Sequence, residues 1–406
     1  MNVCIFEDFF ITSLAPVNYL RHTSKIICGA YTLQEKILNY FPHKINLTLH
    51  SRKYIAEYCR EKFPKAQINN LSDGEYLFLN SRVLFNKANL KEIFKRFKKE
   101  KNSALIQDKI VIAFNTTADK TAQFKEIING EDDNLISYAD VEWLNLNKIE
   151  TNDFKLINYP SDLILYNEEE LNYDLKHLTK KKLHVSKKTK VNKQVVFDTS
   201  HGSIYIDKNT VIEPFTYIKG PVYIGEDCTI RSGTKLYGPV RIGGSCKVSG
   251  EVTNSILHWY VNKQHLGFLG HSYLCEWVNL GAGTTTSNLK NNYSEIMLNI
   301  DNQNVNTGSI FLGSIIGDHT KTGIQSMLNT GSLIGISSNL YGAGFHNKLV
   351  KSFSWADAAT GKNVTYELDK AINTAKISMK RRDIEMTKAY EDMLIHLYNN
   401  MQEIPL

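Results

Sequence analysis

Residues 204–248 read IYIDKNTVIEPFTYIKGPVYIGEDCTIRSGTKLYGPVRIGGSCKV. An aliphatic side chain recurs at Ile206, Ile212, Ile218, Ile224, Ile230, Leu236, Ile242 and Val248, a spacing of six held through the whole stretch. Two places ahead of each stands a mostly small or β-branched residue: Ile204, Thr210, Thr216, Val222, Cys228, Thr234, Val240 and Cys246. An α-helix repeats every ~3.6 residues and a flat strand every ~2, so neither sustains this period. A prism-shaped coil with three flat sides does, with one inward aliphatic residue per side and ~18 residues per turn. Stacked turns satisfy one another's backbone hydrogen bonds while the aliphatic residues pile into ladders along the axis.

Beyond this stretch the pattern changes in both directions. Toward the C-terminus it is interrupted at about 254–269, resumes with Leu274 and Leu280, and ends after Phe345. Such an interruption reads as a loop leaving the coil, where a solenoid places its specific chemistry. Residues 366–398 read as one long amphipathic helix, with Leu368, Ile372, Ile377, Ile384, Met393, Leu394 and Leu397 roughly on one side and Lys380-Arg381-Arg382 as a solvated face. Toward the N-terminus, KKKLHVSKKTKVNK at 180–193 is basic and short of large apolar residues, which reads as a solvated linker. Before it, apolar runs at 3–6, 76–79 and 110–114 alternate with helix-like stretches at 32–40 and 90–99. That alternation predicts an α/β layer on a mainly parallel sheet. The expected organisation is an α/β domain at 1–180, a linker at 181–195, a β-helix at 196–360 and a C-terminal helical segment at 361–406.

Composition narrows the functional classes. A chain of 406 residues is too long for one ordinary core. Its 42% hydrophobic and 22% charged residues are those of a soluble globular protein. The net charge of +6 suits phosphorylated ligands but is too small and dispersed for a nucleic-acid partner. Six scattered cysteines without a C-x-x-C pair argue against a disulfide framework or zinc site and for a reducing compartment. MNVCIFEDFF lacks a basic leader and cleavage site, and no apolar run approaches the ~18 residues that span a bilayer. The expectation is a cytoplasmic protein with no membrane contact.

The chemistry concentrates where the repeat falters, in NKQHLGFLGHSYLCEWVNLGAGTTTSNLKNNYSE. His265 stands in the interruption, where a neutral imidazole near its ordinary pKa of ~6.5 can act as a base. Asn279-Leu280-Gly281-Ala282-Gly283 follows, with so little side-chain bulk that a long flat ligand can bond to the backbone. Thr284, Thr285, Thr286, Asn288 and Lys290 add hydroxyl, amide and cationic groups suited to a phosphorylated sugar.

This text resembles the C-terminal domain of the bifunctional glucosamine-1-phosphate acetyltransferase / N-acetylglucosamine-1-phosphate uridylyltransferase family. The family pattern G-H-L-T-Y-L-G … N-I-G-A-G-T-I-T-C-N appears here as Q-H-L-G-F-L-G … N-L-G-A-G-T-T-T-S-N, with the same internal spacing. The remainder is similar to a divergent bacterial branch of the family through Leu312 to Ile324, the G-A-G-F of 342–345 and the S-F-S-W of 352–355. The resemblance implies a left-handed parallel β-helix of hexapeptide repeats behind a nucleotidyltransferase-like, Rossmann-like domain. It also implies a homotrimer whose acyl-CoA site lies between neighbours. By the same resemblance His265 is the general base, Asn279 and Asn288 hold the sugar and the acetyl group, and Ala282 with Gly283 lines the acetyl-CoA groove. Gly317-Asp318-His319 with Lys321 either contacts ligand or pins a turn. One departure is Phe268, which lacks the hydroxyl of the family's tyrosine.

The N-terminal half has no glycine-rich G-x-G-T-R-M segment for nucleotide phosphates. The divergent branch's Pro…Arg…Gly…Thr…Glu-Lys pattern is matched by Pro16, Arg21, Gly29, Thr32, Glu35 and Lys36. By that resemblance Arg21, Lys25 and Lys36 are the cations for the phosphates of UTP. Uridylyl transfer also implies Mg²⁺ on hard oxygen ligands, for which Asn167 and Asp162 are the candidates. The family's metal aspartate follows a central strand, but here the run at 76–79 leads into Asn80-Ser81-Arg82. The leading expectation is a bifunctional enzyme of UDP-N-acetylglucosamine synthesis. The alternatives are a single-activity sugar-phosphate nucleotidyltransferase whose β-helix serves oligomerisation or regulation, and a non-catalytic assembly protein.

Overall fold

The computed structural model describes residues 1–129, 135–300 and 303–401, so the last residues of the expected C-terminal segment, 402–406, lie outside the described residues. The N-terminal domain is a seven-stranded sheet in the order Gln67–Ile68, Asn46–His50, Asn2–Phe6, Tyr76–Asn80, Ile110–Thr116, Ser103–Gln107 and Asn147–Glu150. Neighbours are parallel except where Ile110–Thr116 runs against both of its partners. The two central strands are buried on both faces, as a helix-covered sheet requires. Val3, Ile5, Leu77 and Leu79 enter one apolar cluster, while Cys4, Phe6, Phe78 and Phe114 enter another across the sheet. The period of two thus sorts side chains to the two faces.

The C-terminal half is a parallel β-helix. Ile204 pairs with Val222 and Val222 with Val240, while Val211 pairs with Thr229 and Thr229 with Lys247. All eight aliphatic positions read from the repeat are fully buried in one axial cluster. The residues two places ahead of them close the corners: Thr210 Oγ1 donates to the Gly225 carbonyl at 2.8 Å and Thr216 Oγ1 to that of Glu213 at 2.8 Å.

Three expectations are corrected. First, the basic stretch expected as a linker forms the first rungs of the coil. Leu183–Val185 pairs with Ile204–Ile206 and Lys190–Val191 with Val211–Ile212. Its outward lysines hid the inward positions. Second, the interruption at 254–269 does not leave the coil. Val240 pairs with Ser255, Lys247 with Asn262 and Glu251 with Phe268, so the turn is shortened and the six-residue phase slips. The true excursion is later: Tyr273 pairs directly with Ile315, and the chain between carries the hairpin Met297–Ile300 with Gln303–Asn306. Third, the expected single helix is two, Leu368–Lys380 and Lys388–Asn399. They part where Asp383 adopts a left-handed conformation (φ 58°) and Thr387 caps the second helix, accepting from Tyr390 N at 3.3 Å. Lys380 and Arg381 are exposed, as a solvated face requires, and Arg381 and Arg382 also line a cavity.

The two helices wedge the domains together. Tyr54 of the N-terminal helix Lys53–Lys62 stacks on His396 at 4.5 Å, and Tyr390 Oη meets His319 Nε2 of the coil at 2.8 Å.

Candidate active site

Three stacked turns bring the candidate residues into reach. Leu280 N donates to the Asn262 carbonyl at 2.9 Å and Gly283 N to that of Leu266 at 3.1 Å, which seats the NLGAG segment directly on the His265 turn. The seating depends on glycine. A Cβ at Gly267 (φ 128°) would lie 2.1 Å from the Thr284 carbonyl oxygen, and one at Gly281 2.3 Å from that of Gly323. His265 is exposed at this corner, and its ring has no polar partner among the described residues. Beneath it Lys263 occupies an inward position between Val248 and Leu280, where other rungs carry aliphatic residues. Its ammonium donates to the carbonyls of Ser249 at 2.8 Å and His265 at 3.0 Å. Burial holds its pKa down at about 8.

From Gly283 a groove of about 830 Å³ runs along the next turns, past Thr285, Gln325 and Met327 to Gly342 and Phe345. Its surroundings carry large exposed apolar side chains: Leu266 is 72% exposed, Ile324 77% and Phe345 58%. Ala282 sits at its head, its carbonyl accepting from Gln325 N at 2.6 Å.

The other candidates of the coil separate. Asn279 lies on the strand stack of Asn262 and Lys321 and accepts a hydrogen bond from Asn262 Nδ2 at 2.5 Å. Asn288 is at a different corner, with Nδ2 2.8 Å from Nδ1 of His271. His271 is a second histidine in the site that motif reading passed over. Its ring stacks on Phe311, and burial lowers its pKa to about 4, so it stays neutral. Its only signal was six-residue spacing from His265. Lys290 turns back on its own loop, bonding the Ser294 hydroxyl and the Glu295 carbonyl. The Gly317-Asp318-His319 segment pins a turn and a domain contact: Asp318 is buried against Arg21, and His319 stacks on Trp277.

The N-terminal candidates also turn inward. Arg21 is 6% exposed and ion-paired with Asp318, and Lys36 is fully buried between Glu170 (2.8 Å) and Asp174 (2.7 Å). Neither presents a free cation to a phosphate, because each neutralises a buried carboxylate. Lys25 and Arg21 both line a cavity of about 300 Å³ between the domains, beside Tyr58 and Glu276, and of the two only Lys25 has no ion pair among the described residues.

The donor set expected for Mg²⁺ does not fit a metal. Asp162 caps a helix, accepting from Asn158 N at 2.7 Å and Tyr159 N at 3.0 Å. Asn167 accepts from Gly29 N and donates to the Pro239 carbonyl, both at 3.3 Å, clipping the two domains together. At the end of the central strand, where the metal aspartate was expected, stands the fully buried guanidinium of Arg82. Asp8 holds it through two bonds of 2.7 Å. No group of three or more His, Cys, Asp and Glu side chains suited to a metal exists among the described residues.

Comparison with known proteins agrees with this two-part architecture. Residues 3–183 match the family described as sugar nucleotidyl transferase, and residues 203–238 match the bacterial transferase hexapeptide repeats. The chain thus joins a stretch similar to sugar nucleotidyl transferases to a stretch similar to hexapeptide-repeat transferases. Among similar proteins, the bifunctional sugar-1-phosphate nucleotidylyltransferase/acetyltransferase of Sulfurisphaera tokodaii is 34% identical over 23% of this chain and 23% of its own. Bifunctional protein GlmU of Methanococcus aeolicus is 37% identical over 22% of each chain. The matched stretch therefore spans under a quarter of the length of these curated relatives. A UDP-N-acetylglucosamine acyltransferase from Campylobacter jejuni covers 53% of this chain and 96% of its own at 12% identity, with a TM-score of 0.26, too low to bear on this chain.

Proposed function

We propose that the β-helix transfers an acetyl group from acetyl-CoA to the amine of glucosamine-1-phosphate, with His265 as general base. The observation that carries this reading is the exposed, unpartnered His265 ring on a turn bonded directly to the glycine-rich head of the long groove. In that reaction Nε2 or Nδ1 of His265 takes a proton from the amine as nitrogen attacks the thioester carbonyl. The carbon–sulfur bond then breaks and CoA leaves as its thiol once protonated. Acetyl-CoA lies along the groove from Ala282 and Gly283, where small residues let it bond to backbone. Asn279 meets the sugar, and Asn288, kept in place by neutral His271, meets the acetyl group.

The apolar residues around the groove support a homotrimer in which a neighbouring copy covers them. No helix among the described residues is long and apolar enough to cross a membrane. The six free, buried cysteines support a reducing, cytoplasmic setting.

The N-terminal domain, on this proposal, transfers a uridylyl group from UTP to N-acetylglucosamine-1-phosphate and releases pyrophosphate. Its chemistry rests on the family match and on Lys25. Two assays on the full chain test the halves separately. Acetyl-CoA with glucosamine-1-phosphate should release free thiol, and a protein that releases none is no acetyltransferase for this acceptor. UTP with N-acetylglucosamine-1-phosphate, with and without Mg²⁺, should release pyrophosphate; silence in both arms leaves the domain a binding or scaffolding role.

A further inference from the structure

Beside the His265 turn, on the coil face that carries Asn279, lies a separate cavity of about 270 Å³. Lys247 and Lys321 of the coil and Arg381 and Arg382 at the end of helix Leu368–Lys380 all line it, together with Asn262 and Asn279. None of these four cations has a carboxylate partner among the described residues. Lys321 Nζ donates only to the His319 carbonyl at 2.9 Å, and Arg382 Nη1 only to that of Ser245 at 3.0 Å. Three buried cations of the N-terminal domain are by contrast each neutralised: Arg21 by Asp318, Lys36 by Asp174 and Arg82 by Asp8.

We propose that this cavity is a phosphate site, taking the dianionic phosphate group of a small phosphorylated molecule. Four like charges around one cavity repel, and a doubly charged anion reverses the sign of that interaction. The repulsion registers on Lys247, whose pKa is lowered first by Arg382 and then by burial. Lys321 is held at about 8 by burial, so a nearby anion would also favour its charged form. Two arginines supply forked N–H donors matched to phosphate oxygens, and the amides of Asn262 and Asn279 remain for hydroxyls. Because Arg381 and Arg382 come from the C-terminal helices, the site is complete only when those helices dock on the coil. That gives the C-terminal segment a role beyond joining the domains.

The same chemistry has two sources, a sugar 1-phosphate or free inorganic phosphate. Gln264, the residue before His265, lines the cavity, which places the phosphate of an acceptor sugar within the same neighbourhood. The site does not depend on acetyl transfer, since binding is read without turnover. Calorimetric titration of the full chain at low salt should show binding of glucosamine-1-phosphate and of inorganic phosphate, and none of glucosamine. Tighter binding of the sugar phosphate assigns the site to substrate, and equal binding assigns it to free phosphate. Arg381→Ala, whose side chain has no hydrogen-bond or ion-pair partner among the described residues, should weaken phosphate binding about tenfold with unchanged thermal melting. Lys321→Met should weaken it about tenfold while raising the melting temperature at pH 7, since burial holds that lysine at about 8. Failure of millimolar phosphate to bind the wild-type chain, or binding that both variants leave intact, overturns the proposal.

Discussion

The outer faces of the coil and the strand ends of the N-terminal sheet treat their charged residues in opposite ways. Where the C-terminal helices meet the coil, Lys247, Lys321, Arg381 and Arg382 gather without carboxylate partners among the described residues. At the sheet and its junction with the coil, Arg21, Lys36, Arg52 and Arg82 are each closed onto a carboxylate. The partners of Arg21 and Lys36 lie more than a hundred residues away in sequence. A cation left open in a cleft is available to a ligand, whereas one that compensates a buried carboxylate is committed to the fold. In this molecule the open cluster lies where the C-terminal helices meet the β-helix, and the committed cations Arg21, Lys36, Arg52 and Arg82 lie in the domain that was expected to grip nucleotide phosphates.

The largest effect that tests this contrast is on catalysis. His265→Ala should lower thiol release by ~10²–10⁴-fold while leaving pyrophosphate release unchanged. Equal thiol release from both proteins would remove this imidazole from the reaction.

Next comes Arg21→Met. It leaves Asp318 unpaired in the interior, and breaking a buried pair costs ~3–5 kcal/mol. Denaturant unfolding should show the loss, and the double variant with Asp318→Leu should recover part of it. A variant of ordinary stability with a raised KM for UTP would instead return Arg21 to the phosphates.

Lys263 gives a smaller effect with a definite sign. Its pKa is about 8 in the fold against 10.5 for an unperturbed lysine, because burial penalises the charged form. The unfolded chain therefore binds more protons between those values, and stability should rise as pH climbs from about 8 to 10.5. Below that window the folded chain carries a penalty of order 3 kcal/mol, at ~1.4 kcal/mol per pKa unit. Lys263→Met should raise the unfolding midpoint at pH 7 and flatten its rise toward pH 10. It should also lower acetyl transfer, since the carbonyl of His265 loses its donor.

Smallest is Phe268→Tyr. The half-buried ring lies beside Asn288, and restoring a hydroxyl there should lower the acceptor KM a few-fold, ~1 kcal/mol for one hydrogen bond. An unchanged KM would mean that the acceptor does not reach this side of the coil.

Much of the β-helix was legible because its rule is local. A residue's place in a six-residue count decides whether it points in or out, so the aliphatic positions from Ile206 to Val248 were correctly placed in the core. The same rule misled at 254–269, where a turn short of residues lost phase without leaving the coil. It also misled at 180–193, where outward lysines masked the inward positions of the first rungs. The long excursion after Thr286 carried no period by which to recognise it.

From residue order alone came the stacked coil, the two-domain division and the α/β character of the first half. These follow from periodicity, which backbone geometry converts directly into burial. Only the tertiary structure decided that Arg21 and Lys36 are neutralised, that Asp162 and Asn167 bond to backbone, and that Arg381 and Arg382 face Asn279. Those outcomes depend on which distant group a charge meets once the chain has folded, and the pairing energy of a buried ion is set by that neighbour.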